Sequence, residues 1–455
     1  MNRSSSFLIV SLLCTLLITA CPLFADGQRA TDHVVLISFD GLRPEFYLDE
    51  SWPAPMLKQM QREGAWADAV ESVFPSVTYP AHTTILTGLP PAEHGISYNT
   101  PFEPEGQTGR WYWEESSITA PTLWDAARAA GLKTASIFWP VSVGAPVDLN
   151  VPEIWPLDWE ASDFVEPMRR TTTPSGLLEE LEREATGRLT PVNFSFGRLT
   201  LDDKSSEMAA YLLATYKPNL LTLHLIGADN FQHEQGRDGE MVRRSVAALD
   251  RCISRIVDAA EQAGILGRTT FLITGDHGFV DLHTEVAPNV WLVEAGLMEA
   301  RPDRGDWRAT VHNTSAAGFV FLAGRDDEKT LEQVREVLAA QPAEVRALYR
   351  VLEREDLERL RTAPDAALGL APALGAYVTS DYEPPAVRPK GGASHGFLPD
   401  HPEVHTGFVA WGAGIRAGGS VPLMRLEQVA PLVSRLLGLE FDTATAPVLV
   451  ELLAE

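Results

Sequence analysis

His33-Val34-Val35-Leu36-Ile37-Ser38-Phe39 runs directly into Asp40-Gly41. An apolar, β-rich run of that length, closed by an acid and a glycine, reads as a strand buried on both faces. Comparable runs recur at Lys133–Phe138, Leu220–Leu225, Thr270–Thr274 and Gly407–Trp411. Helical patterns lie between them at Pro55–Glu63, Thr122–Ala130, Asp202–Tyr216 and Gly239–Ala263. Continuous apolar strands separated by amphipathic helices predict an α/β fold, with a mostly parallel central sheet and helices on both faces. Leu426–Leu437 adds an amphipathic helix expected to cover the sheet. In such sheets ligands gather beyond the carboxyl ends of the strands. Asp40, Asp229 and Asp276 all fall at or just past such ends.

Two stretches break the alternation. Residues 101–201 are rich in Trp, Pro and Glu, with Trp111-Tyr112-Trp113, Trp139, Trp155 and Trp159, and are expected to form loops and short helices around the site mouth. Trp111, Tyr112 and Trp113 either stack a base, pack a lipid, or form the core of that segment. Residues 283–381 hold a strand-like Gly318–Leu322 and then charged, helix-rich sequence through Arg361, and are expected to form a small inserted α+β subdomain. The catalytic domain is expected to span residues 30–455.

The chain has 455 residues, 45% hydrophobic and 22% charged, enough for one large domain with insertions or for two domains. A net charge of −25 repels a nucleic-acid duplex but does not exclude a small phosphoester held beside metal. Residues 1–25 read as an export signal, with Arg3 ahead of the apolar Phe7–Ala20, a stretch too short to span a bilayer comfortably. Cleavage after Ala25 predicts a periplasmic or secreted protein. Ile18-Thr19-Ala20-Cys21 also resembles a bacterial lipobox, in which a lipid on Cys21 would tether the protein to a membrane. Of the three cysteines only Cys252 lies beyond the leader, so no internal disulfide is expected, and its helical surroundings make it a small core residue.

The chemistry rests on scattered acids, imidazoles and one hydroxyl. Asp229 and His233 are four residues apart, on one face if helical. Asp276-His277-Gly278 follows a strand, where the glycine permits a turn. His395 sits in Gly391-Gly392-Ala393-Ser394-His395-Gly396. Thr78 precedes the helix-forming Ala81–Leu86, so it stands near a helix N-terminus that favours phosphate, or it simply caps that helix. Ser76 and Thr83 are competing hydroxyls. Asn99 either offers its amide to a phosphoryl oxygen or marks a turn. Taken singly, these are surface pairs, strand-end caps and flexible loops. Together they supply the ligands of a two-zinc phosphoryl-transfer site.

The set resembles the nucleotide pyrophosphatase/phosphodiesterase family of the alkaline phosphatase superfamily. The matching text is Ile37-Ser38-Phe39-Asp40-Gly41-Leu42-Arg43-Pro44, then Phe74-Pro75-Ser76-Val77-Thr78-Tyr79-Pro80-Ala81-His82-Thr83-Thr84, Pro91-Ala92-Glu93-His94-Gly95-Ile96, Thr274-Gly275-Asp276-His277-Gly278 and Ser394-His395-Gly396. The resemblance implies an alkaline phosphatase-like fold and two Zn²⁺. Asp40, Thr78, Asp276 and His277 would hold one ion, and Asp229, His233 and His395 the other. Thr78 would be the nucleophile, with Asn99 and the Thr78 amide on the phosphoryl oxygens. The implied function is an exported hydrolase of phosphodiester or pyrophosphate bonds in nucleotide-like or lipid-like small molecules, acting through a phosphothreonine. A phosphomonoesterase or phosphonate hydrolase on the same scaffold and a non-catalytic metal-binding or ligand-binding protein are the alternatives; a manganese-dependent mutase is disfavoured by the export signal. Ala81 stands where the family usually has Asn, and Gln232 where it usually has Gly.

Overall fold

Every residue of the His33–Phe39 strand is buried, and the strand sits inside a nine-stranded sheet. The computed structural model describes residues 29–158 and 162–455. The leader at 1–25 with its Cys21, and Trp159, lie outside the described residues. His33–Phe39 pairs in parallel with Leu220–Leu225 on one side and Thr269–Thr274 on the other. Across the sheet the order is Gly419–Val421, Ala65–Glu71, Thr406–Gly412, Thr269–Thr274, His33–Phe39, Leu220–Leu225, Thr134–Ile137 and Leu149–Val151, with Met424–Arg425 also on Ala65–Glu71. Among the described strands of this sheet, Thr406–Gly412 alone runs antiparallel to its neighbours.

The two faces of the central strand explain its unbroken apolar run. Val35, Ile37 and Phe39 pack with Leu201 and Leu212 of the Leu199–Tyr216 helix and with Val246, Leu249 and Ile253 of the Glu240–Gln262 helix. Val34 and Leu36 pack oppositely, with Ile85 of Thr78–Thr87, Trp124 of Leu123–Ala129 and Leu432 of Val429–Leu437. Helices thus cover both faces, and alternation of polar and apolar residues has no place in such a strand. Cys252 is buried in the first of these clusters, where burial pushes its thiol up to about 12.

The Ala65–Glu71 strand was absent from the sequence reading. Only Ala65, Ala67 and Val70 of this strand, one place from the sheet edge, are buried, so it carries no apolar run. Residues 101–201 are not all loop, because Thr134–Ile137 and Leu149–Val151 belong to the main sheet. A second, antiparallel sheet has the order Tyr349–Leu352, Leu368–Pro372, Ala317–Leu322 and Ala309–Thr314. Val311 and Val320 of this sheet pack with Trp291, Leu292, Val334 and Leu338 of the Pro288–Glu294 and Glu328–Ala339 helices. Phe319 of the same sheet packs with Phe74 and Tyr98, which joins this α+β unit to the loops flanking Thr78. Among the described residues no helix is long and apolar enough to cross a membrane.

Gly275 is the last residue before Asp276, and a Cβ there would run into Thr406 Oγ1 and Leu42 Cβ. Gly275→Ala is expected to lower the unfolding free energy by about 1–3 kcal/mol through overpacking. Urea denaturation would read this as a lower midpoint at unchanged slope; an unmoved midpoint would contradict the close approach.

Candidate active site

Three strand ends meet at one spot. The Asp40 amide donates to Leu225 O at 2.8 Å, which ties the first of these ends to its neighbour. The chain then turns through Gly41 at φ +67°, a left-handed conformation that suits glycine. Gly41 N and His277 N both donate to Asp276 Oδ1, each at 3.0 Å. The other oxygen, Asp276 Oδ2, is left to face His277 Nε2 at 3.2 Å. Asp40 Oδ1 lies 3.4 Å from the same nitrogen.

The Gly227–Gln235 helix follows the Leu220–Leu225 strand and carries Asp229 and His233 one turn apart, with Asp229 Oδ1 3.3 Å from His233 Nε2. A short ladder between Val280–Asp281 and Ala393–Ser394 brings His395 alongside His277. The two rings stack at 3.5 Å between centroids, 8° from parallel. His395 Nε2 is 3.6 Å from Asp229 Oδ1. In each of the three histidines Nδ1 lies against a backbone carbonyl: Gly278 O for His277 at 3.2 Å, Ala393 O for His233 at 2.9 Å and Ser76 O for His395 at 2.9 Å. With the ring proton on Nδ1, each Nε2 lone pair is available to an ion, as in metal-binding histidines, although Asp229 counters burial at His233 and holds that imidazole above its ordinary value.

The electrostatics follow from crowding. Burial pushes the Asp40 carboxyl well above the usual range, and the charge of Asp229 adds to this. Asp276 is raised in the same way, by burial and then by Asp40. Burial drives His277 well below its ordinary value, assisted by His395 and His233, and His395 is pushed down to about 3. Burial also acts against charge at Asp229, but the charge of His233, 3.3 Å away, outweighs it and holds that carboxyl below the usual range. Asp40 Oδ1, Asp229 Oδ1, Asp276 Oδ2 and His277 Nε2 are buried atoms with no hydrogen-bond partner among the described residues. Ligand atoms of Asp40, Asp276 and His277 lie within 4.8 Å of one another, as do those of Asp229, His277 and His395. Orphaned carboxylate oxygens and imidazole lone pairs, converging without donors between them, fit divalent transition-metal ions.

Thr78 is the first residue of its helix rather than its cap; Val77 takes the cap position, in extended conformation. Thr78 lines a cavity of about 610 Å³ together with Asp40 and Asp229. The competing hydroxyls are committed elsewhere: Ser76 donates to Phe397 O at 3.1 Å, and Thr83 donates to Tyr79 O at 2.8 Å. Asn99 Oδ1 accepts the Tyr79 amide at 2.9 Å, which leaves the Asn99 side-chain NH₂ free to be offered elsewhere. Of the aromatic triplet, Trp111 lines the cavity, Trp113 is buried in the main core, and Tyr112 packs between that core and the Phe74–Tyr98 cluster. The two departures from the family pattern are both accommodated. Ala81 is buried in the apolar cluster beneath the helix, and Gln232 Nε2 donates to Gly41 O at 3.1 Å, tying the Asp229–His233 helix to the turn after Asp40.

Four neighbours were missed by sequence reasoning. His224 Nε2 lies 3.0 Å from Asp40 Oδ2, and Glu153 Oε2 lies 2.8 Å from His224 Nδ1. His82 Nδ1 lies 2.8 Å from Thr78 O and 3.7 Å from Asp276 Oδ2. Asp202 accepts the Ile226 and Gly227 amides at 2.8 and 3.0 Å and so caps the helix that carries Asp229 and His233. An imidazole inside the apolar run Leu220–Leu225 was the available signal for His224, since a buried polar group needs a partner. The spacing of four residues from Thr78 was the signal for His82. Glu153 and Asp202 had none.

Residues 34–398 match the family model described as type I phosphodiesterase/nucleotide pyrophosphatase. Rat ectonucleotide pyrophosphatase/phosphodiesterase family member 7 is 26% identical over 298 residues, which are 63% of this chain and 58% of the rat protein. Human family member 1 is 23% identical over 261 residues, 54% of this chain and 24% of the human protein. The chain therefore spans less than two thirds of either relative. A solved structure of murine ectonucleotide pyrophosphatase/phosphodiesterase 5 superposes with a TM-score of 0.66 at 18% identity, over 93% of this chain and 100% of that one. An inactive Thr-to-Ala variant of the murine protein, in complex with AMP, gives 0.64 at 18% identity over 92% and 96%. The shared architecture is the alkaline phosphatase-like α/β fold.

Burial raises the Asp202 carboxyl to about 7, against the opposing pull of the amides it caps. An unfolded aspartate releases its proton near about 3.9. The folded form therefore holds the extra proton, and its contribution to stability is full below about pH 4 and is lost as pH rises to about 7. The unfolding free energy of wild type minus that of Asp202→Asn should fall across this window by on the order of 4 kcal/mol and level off above it. A difference that stays flat from pH 4 to 8 would contradict the assignment.

Proposed function

The chain belongs to the type I phosphodiesterase/nucleotide pyrophosphatase family, and from that premise we propose that it is an exported two-zinc hydrolase cleaving phosphodiester or pyrophosphate bonds of nucleotide-like or lipid-like small molecules through a phosphothreonine. The observation that carries this reading is the cavity Thr78 shares with Asp40 and Asp229, beside the orphaned ligand atoms.

Asp40, Thr78, Asp276 and His277 would hold one Zn²⁺ and Asp229, His233 and His395 the other, and the bound pair supplies Lewis-acid charge for the attacking and departing oxygens of an in-line displacement. Thr78 Oγ1 attacks phosphorus, and the alcohol or nucleoside phosphate leaves from the opposite side. Because Thr78 opens its helix, its own backbone amide is the one offered to an incoming phosphoryl group: the Tyr79 amide donates to Asn99 Oδ1, residue 80 is proline, and the Ala81 amide donates to Val77 O. Asn99, oriented by the Tyr79 amide, donates its NH₂ to a non-bridging oxygen. Water then cleaves the phosphothreonine and restores the hydroxyl.

The walls suit the substrate class. Trp111, Trp155 and Phe196 line the cavity and exclude water around a flat base or an apolar tail. Among the described residues that line it none is Lys or Arg, which favours a diester with one charge over a dianionic monoester. The murine relative's complex with AMP supports the nucleotide-like choice. The leader at residues 1–25 supports export, either as a soluble periplasmic or secreted protein after cleavage at Ala25 or tethered to a membrane by a lipid on Cys21, and the net charge of −25 argues against a nucleic-acid duplex as partner.

Zinc-loaded protein should turn over bis-p-nitrophenyl phosphate faster than p-nitrophenyl phosphate. Thr78→Ala should lower kcat by roughly 10³-fold or more, while elemental analysis still finds zinc. Faster monoester turnover would make the protein a phosphomonoesterase, and an active Thr78→Ala would remove the covalent route.

A further inference from the structure

In the wall of the cavity, one imidazole is held between two carboxylates. His224 Nε2 lies 3.0 Å from Asp40 Oδ2, and His224 Nδ1 lies 2.8 Å from Glu153 Oε2. The second oxygen of Glu153 accepts the Tyr79 hydroxyl at 2.8 Å. All four side chains are buried. They come from separate places: the end of His33–Phe39, the interior of Leu220–Leu225, the loop after Leu149–Val151, and the second residue of the Thr78–Thr87 helix. The chain of contacts therefore starts on a carboxylate assigned above to metal and ends beside the assigned nucleophile.

The two oxygens of Asp40 are treated differently. Oδ2 is taken by His224, while Oδ1 has no hydrogen-bond partner among the described residues and faces His277 Nε2. The His224 contact thus selects which oxygen is presented and fixes the plane of the carboxylate. At the other end, Tyr79 is tied through its hydroxyl to Glu153 and through its amide to Asn99, and its ring packs on Trp111 at 5.1 Å between centroids. Thr78 is thereby held at the start of its helix by its immediate neighbour.

We propose that His224, Glu153 and Tyr79 are positioning residues, a relay that sets the metal-facing oxygen of Asp40 and the first helical turn at Thr78 as one unit. This rests on the two-metal reading above. Residues that orient metal ligands typically alter metal affinity or activity by about 10–100-fold when removed.

The test uses Tyr79→Phe, Glu153→Gln and His224→Asn in the full chain. The measurements are the melting temperature, zinc affinity by competition with a chelator, and kcat and KM on bis-p-nitrophenyl phosphate. Glu153→Gln and His224→Asn are expected to weaken zinc binding by about 10–100-fold and to lower kcat with KM little changed. Tyr79→Phe is expected to lower kcat about tenfold with zinc affinity unchanged, since it loosens only the nucleophile's end. Variants that melt earlier yet keep wild-type zinc affinity and kcat would reduce the relay to a structural brace and overturn the proposal. Should the two core variants fail to fold, Tyr79→Phe decides alone, because it removes a single hydroxyl; an unchanged kcat overturns the proposal. Wild-type protein that binds no zinc and turns over no diester would sink the two-metal reading instead, and that outcome is separate from the failure of the relay.

Discussion

Three carboxylates, Asp40, Asp229 and Asp276, converge at the carboxyl end of one sheet, and the surrounding structure is organised around that crowding. Two of them are buried, and Asp229 is partly open to the cavity. Charge withdrawn from water is costly unless it is compensated. The protein compensates part of it with its own groups. The Gly41 and His277 amides take one oxygen of Asp276, His224 takes one of Asp40, and His233 faces Asp229. The oxygens left over point at one another and at imidazole lone pairs. Such a constellation is stable as a resting place for cations and poor as anything else.

The sheet supplies the rigidity this requires. Three adjacent parallel strands end at the same level, so Asp40, the helix carrying Asp229 and His233, and Asp276-His277 start from positions that cannot drift apart without breaking the ladders. His395 is delivered by a two-residue ladder, and Thr78 by a helix packed under the same strands. Gln232 and Asp202 tie the Asp229–His233 helix to its neighbours from two sides. Positions of this kind, on element ends held by a packed core, suit chemistry in which placement and fixed charge do most of the work.

The cavity adds an aromatic wall to that placement. Its aromatic wall comes from Trp111, Trp155 and Phe196, three residues far apart in sequence. Trp111 packs on Tyr79, which belongs to the Glu153–His224–Asp40 chain of contacts. The aromatic wall, the first turn of the Thr78 helix and the Asp40 carboxylate are therefore mechanically continuous on one side of the site.

How much of this the primary structure disclosed can be followed residue by residue. The buried strands were readable because a strand covered on both faces must be apolar throughout, and Asp40, Asp276 and His277 were readable because a charged residue ending such a run is conspicuous. Asp229 with His233 and His395 added the matching residue types at workable spacings. Ala65–Glu71 escaped because its buried residues, Ala65, Ala67 and Val70, form neither an apolar run nor a strict alternation, and Leu149–Val151 because three residues make no period. Glu153, His224 and Asp202 escaped for a different reason: a buried polar residue is defined by its partner, and theirs lie 71, 184 and 24 residues away. Local sequence determined the fold class and the chemistry available, because periodicity and residue type are local properties. Only the tertiary structure decided which oxygen of each carboxylate faces the site and which hydroxyl reaches the cavity, because those choices are made by hydrogen bonds between segments that meet only after folding.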